Sequence, residues 1–103
     1  MLAAHTTALL RGFMIAALFA VAACETMPVQ EMSDARQAIS AAREAGAAEY
    51  AAEQLIAAES SLQSAEKYLN TRNYGVARRE AVAAKSAAID ALRMSEAALE
   101  ADN

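Results

Sequence analysis

The chain has no tryptophan, one cysteine, one proline and one histidine among its 103 residues, and only 5% of it is aromatic. Each scarcity removes a class of protein. A lone cysteine builds no disulfide scaffold, and a lone histidine beside it supplies no zinc ligand set. Three glycines and one proline are too few turn residues for a β-sandwich with its many short strands. What is abundant is alanine, thirty residues in all. Alanine is the best helix former and fills little volume, so the composition predicts helices that approach closely around a thin core. The length allows one domain at most.

Much of the apolar content sits in the first two dozen residues, which read as an export signal. A short region with His5 and Arg11 precedes the run from Gly12 through Phe13-Met14-Ile15 to Ala20, and Val21-Ala22-Ala23-Cys24 follows. That is the order of charged, apolar and small-residue segments expected of a signal peptide. A spanning helix needs about 20 consecutive apolar residues. Here the run after Arg11 stops at Cys24, because Glu25 comes next. Val21-Ala22-Ala23-Cys24 resembles the lipobox of bacterial lipoproteins. The resemblance implies cleavage between Ala23 and Cys24, a diacylglyceryl group on the Cys24 thiol, and acylation of the new amino group. Buried acyl chains contribute roughly 0.8 kcal/mol per CH₂, so several of them hold a protein on a membrane without a spanning helix. Val21 and Ala23 also satisfy the small-residue rule of an ordinary secretory signal. The lone, partnerless Cys24 at the required position favours the lipobox. In enteric bacteria an aspartate after the cysteine retains a lipoprotein in the inner membrane. Glu25 stands there, so the expected location is the outer membrane, facing the periplasm.

Residues 24–103 carry 13 acidic and 8 basic side chains, a net charge of −5 that argues against nucleic acid as a partner. Residues 24–32 show no periodicity and read as a tether. Beyond them the spacing predicts an all-α domain over 33–101: a small antiparallel three-helix bundle or helical hairpin, with alanine-rich coiled-coil-like seams, following a signal helix. Asp34 with Gln37 fits a capping box at the start of the first helix, over about 33–45, and Gly46 fits a C-terminal cap. The second helix, about 50–70, has the most regular pattern: Ala51, Leu55, Ala58, Leu62, Ala65 and Leu69 alternate spacings of four and three. This is a heptad seam. After Asn70-Thr71-Arg72-Asn73, residues that favour turns, Ala77, Ala81, Ala84, Ala88, Ala91, Ser95 and Ala98 continue the same spacing in a third helix, about 74–101. Eighty alanine-rich residues bury little apolar area, so self-association or a protein partner through the helix seams is expected.

Ala38-Ile39, Ala45-Gly46-Ala47, Tyr50-Ala51, Leu55 and the pair Tyr74 and Ala77 together resemble a family of small bacterial envelope lipoproteins, the domain of unknown function 4398. The resemblance runs from Ala35 to about Ala91. It implies envelope residence and a helical fold rather than an activity.

The chemistry-bearing patterns are weak. Ser64-Ala65-Glu66-Lys67 matches the Ser-x-x-Lys motif of penicillin-recognising enzymes, but the companion motifs and the large fold around them are missing. After His5 there is no histidine, and Cys24 would be consumed by lipid, so general-base chemistry would rest on carboxylates alone. Glu49 with Glu53, or Glu96 with Glu100, stand four apart and are read as solvated faces. Tyr50, Tyr68 and Tyr74 are read as aromatic plugs at the ends of the core. The expectation is a non-enzymatic protein with no cofactor, no metal and no catalytic residue.

Charge order says more. Residues 25–66 carry a net −6, residues 67–85 a net +4, and residues 90–103 a net −3. The basic block of Lys67, Arg72, Arg78, Arg79 and Lys85 surrounds the second turn and forms the candidate contact with an anionic surface. A solvated patch that pairs with acids of the first two helices is the alternative. With the block on a membrane, the C-terminal half of the third helix would be free to reach outward. The expected function is a structural or adaptor element of the cell envelope, anchored by Cys24. The second reading is a module that binds peptidoglycan fragments or anionic headgroups at the basic turn.

Overall fold

In the computed structural model, residues 26–103 are described; the expected signal peptide and signal helix, with the expected cleavage and lipidation site at Ala23 and Cys24, lie outside them. The described residues form helices and no strand, as the all-α expectation required: α1 (Val29–Glu44), α2 (Ala47–Tyr50), α3 (Ala52–Asn70) and α4 (Tyr74–Asp102). The 29 residues of α4 span about 43 Å at 1.5 Å per residue, and α1 and α3 pack on it more extensively than on each other.

Ion pairs fix the directions. Arg36 meets Glu66 and Arg43 meets Glu59, so α1 and α3 run antiparallel. Glu31 meets Arg78 and Asp34 meets Lys85, so α1 and α4 run parallel. The result is an up-down-up bundle. One end, hereafter the near end, holds the start of α1 and the α3–α4 turn; the far end holds Gly46, α2 and the last turns of α4.

The 4-3 spacing of α4 becomes a continuous buried stripe. Ala77, Ala81, Ala84, Ala88, Ala91 and Ser95 are all 0% exposed. Methyl groups at these positions let two helices close on a third, where larger side chains would hold them apart. Ser95 keeps the stripe satisfied by donating its hydroxyl to the Ala91 carbonyl at 2.8 Å. On α3 the alanines of the seam and Leu55 are buried, while Leu62 and Leu69 are half-buried at its edges. The core falls into two clusters. At the far end Ile39, Ala42, Ala47, Ala51, Leu55, Ala58, Ala88 and Ala91 pack together. At the near end Met32, Ala65 and Ala81 form a smaller cluster flanked by Leu62 and Leu69, with Pro28, Ala35 and Ala77 also buried at that end.

Four expectations are corrected. The tether does not extend to residue 32, because α1 begins at Val29; Pro28 precedes it, and the Met32 amide donates to the Pro28 carbonyl at 3.0 Å. Proline's fixed φ suits a helix entry, so the chain's lone proline starts the helix it was expected to precede. Asp34 therefore lies inside α1, where it accepts from Gln30, and Gln37 donates to Ser33 rather than closing a capping box. The second helix does not start at residue 50: Tyr50 ends the single turn α2, and Ala51, at φ −148° and ψ 47°, breaks the helix before α3. Finally, the C-terminal half of α4 is not free. It is covered up to Ser95, and only the last two turns extend past its neighbours.

Gly46 makes the first reversal possible. At φ +88° it takes the left-handed conformation, donates to the Arg43 carbonyl, and accepts from the amides of Glu49 and Tyr50. It thus ends α1 and starts α2 with one residue.

Candidate functional site

The basic block divides once the fold is formed. Two of its five members are used inside the molecule. Arg78 donates through Nε to Glu31 at 3.2 Å and through Nη2 to the Thr26 carbonyl at 2.9 Å. Lys85 lies 3.7 Å from Asp34. Both pairs join α4 to α1, so that part of the block pairs with acids of the first helix. Lys67, Arg72 and Arg79 are exposed and form no ion pair among the described residues.

Arg72 owes its position to the way α3 ends. The Asn73 amide donates to the Tyr68 carbonyl at 2.9 Å and the Arg72 amide to the Leu69 carbonyl at 3.1 Å. These two bonds make a Schellman cap, whose left-handed position normally takes glycine. Arg72 fills it at φ 62°, with its side chain exposed. Thr71 and Asn73 brace that turn: the Thr71 hydroxyl donates to the Tyr68 carbonyl, and the Asn73 amide group donates to the Thr71 hydroxyl oxygen. Arg72 and Arg79 together line a shallow concavity with Asn73, Tyr74, Gly75 and Val76. Another surface depression, on the α1–α3 side, runs past Arg43, Ile56, Glu59 and Glu66.

The remaining sequence candidates are dispersed. Ser64 and Lys67 sit on the outer side of α3 beside Ser60 and Gln63, in an open groove. Glu49 and Glu53 do not share a helix face, because the break at Ala51 separates them. Glu96 and Glu100 are exposed on α4. Among the described residues no three acidic, histidine or cysteine side chains converge as a metal-ligand group. The three tyrosines are half-buried, and the Tyr50 ring lies against Gly46. No helix among the described residues is long and apolar enough to cross a membrane.

Two near-end features were not anticipated. The Thr26 carbonyl is an acceptor for Arg78, and Met27 and Val29 are 51% and 66% exposed beside the buried Pro28. A proline between two apolar residues was the available signal. No family model, curated protein or solved structure matches this chain.

Proposed function

We propose that this chain is a non-enzymatic lipoprotein of the bacterial envelope, anchored through Cys24 to the outer membrane and presenting its bundle to the periplasm as a structural or adaptor element. Membership of the domain of unknown function 4398 belongs to the same proposal. The observation that carries the reading is the bond from Arg78 to the Thr26 carbonyl, two residues beyond the lipobox cysteine. It holds the entry of the chain against the first turns of α4, so an anchor at Cys24 would hang from a defined end of the bundle. The seam residues are buried against one another inside one chain. A partner would therefore meet the outward side chains, among which Ile56, Val82, Met94 and Leu99 are exposed and apolar. The second reading, a ligand module at the basic turn, draws on the unpaired Arg72 and Arg79.

Metabolic labelling with an alkyne fatty acid, run beside membrane fractionation, tests the anchor. The wild-type chain should carry the label and sediment with membranes, and Cys24→Ala should carry none. An unlabelled wild-type chain overturns the proposal.

A further inference from the structure

The near end carries charge and apolar surface that the fold does not consume. Residues 26–31 and 67–79 contain one acid, Glu31, against four bases: Lys67, Arg72, Arg78 and Arg79. Glu31 is already paired with Arg78. Met27 and Val29 project from the same end with more than half of their surface exposed. At the far end the balance reverses, since residues 44–56 hold three acids and no base, and residues 90–103 hold four acids and one base. Counted over the two halves, residues 26–36 with 62–85 carry a net +2 and residues 37–61 with 86–103 a net −6, so the bundle is a charge dipole along its long axis.

We infer that the near end is a seat for an anionic bilayer, with Met27 and Val29 entering the headgroup layer and Lys67, Arg72 and Arg79 contacting lipid phosphates. The inference rests on the anchored reading of Cys24 and adds an orientation to it. Only Glu25 separates Cys24 from Thr26, a reach of about 7 Å, and Thr26 is itself held by Arg78. So short a leash keeps the near end at the surface rather than letting the domain tumble. Each base at an anionic leaflet raises partitioning roughly fivefold, so three unpaired bases give on the order of a hundredfold. The acidic far end is repelled by the same surface, which favours the upright orientation. Arg72 points the same way: the chain places a long, exposed cation where the backbone prefers glycine, in the turn at this end.

The absence of native tryptophan provides the test. Full chain with Tyr74→Trp, near the seat, or Met94→Trp, near the far end, is reconstituted in vesicles of brominated phosphatidylcholine with or without phosphatidylglycerol, after mass spectrometry of Cys24. The near-end tryptophan should be quenched several-fold more than the far-end one in anionic vesicles. Arg72→Gly with Arg79→Gln, or high salt, should shrink that difference. Arg72→Gly relieves a left-handed arginine, so its unfolding midpoint should equal or exceed the parent's, which separates lost seating from lost folding. Equal quenching at both positions overturns the seat, as does quenching indifferent to the arginine changes. Salt-sensitive crosslinking between chains, near end to far end without vesicles, also overturns it, by assigning the charges to self-association. If Cys24 proves unacylated the anchor reading fails, and flotation of the same chain decides the seat separately: flotation with anionic but not neutral vesicles supports it, and none refutes it.

Discussion

The two ends of the bundle are built from the same alanine seam but held differently. At the far end α2 folds back as a fourth contributor beside α1, α3 and α4, so Ile39 and Leu55 are enclosed among six buried alanines. At the near end no short helix closes the bundle. Met32 and Pro28 are the large side chains buried there, and the arginine bonded to Glu31 and Thr26 adds a polar tie to that smaller apolar contact. The far end is stabilised mainly by hydrophobic burial, the near end by less of it and a polar tie. The turns differ in the same sense. The far reversal uses glycine at its left-handed position, and the near one uses arginine.

Truncation tests that contrast with the largest effects. Ile39→Ala should cost about 3–5 kcal/mol and Met32→Ala about 2–3, measured by urea unfolding, because the methionine site has fewer neighbours and collapses more easily around a cavity. Equal losses would show that the near core is not the weaker one. A smaller effect is expected from Gly46→Ala. A methyl there would stand 3.2 Å from the Tyr50 ring on a residue at φ +88°, so a loss of about 1–2 kcal/mol is expected in the same experiment. No loss would mean that α2 re-forms without its left-handed start. The smallest changes should come from the ion pairs. Arg43→Ala, which breaks an exposed pair at the far end, should stay within about 1 kcal/mol, and Arg78→Ala, which breaks a part-buried pair and a second bond, should cost about 1 kcal/mol. Only Arg78→Ala should speed amide exchange at residues 29–32, because it also releases the Thr26 carbonyl.

How much of this could be read in advance depended on whether the signal was local. The stripes of α3 and α4 were legible because a 4-3 spacing that persists for several turns has few other meanings, and the six stripe residues of α4 from Ala77 to Ser95 are fully buried. Met32 was hidden because Pro28 and an aperiodic stretch resembled a tether, although that proline opens the helix. The break at Ala51 has no sequence mark at all; alanine is a helix former, and its departure from the helix follows from how α2 must turn onto α4. The division of the basic block was illegible for another reason. Which cations find acids is set by the parallel register of α1 against α4, a relation between residues about fifty positions apart. Composition revealed the charges but not their partners.

The alanine stripe of α4 also bears on how the bundle responds to temperature. The heat-capacity increase on unfolding scales with apolar surface brought into contact with water, and a methyl brings far less than an isobutyl group. A bundle whose central contact is almost wholly methyl is therefore expected to have a flatter stability curve than one packed with leucine. Its folding free energy should vary less between cold and warm surroundings than that of a leucine-packed bundle of the same length.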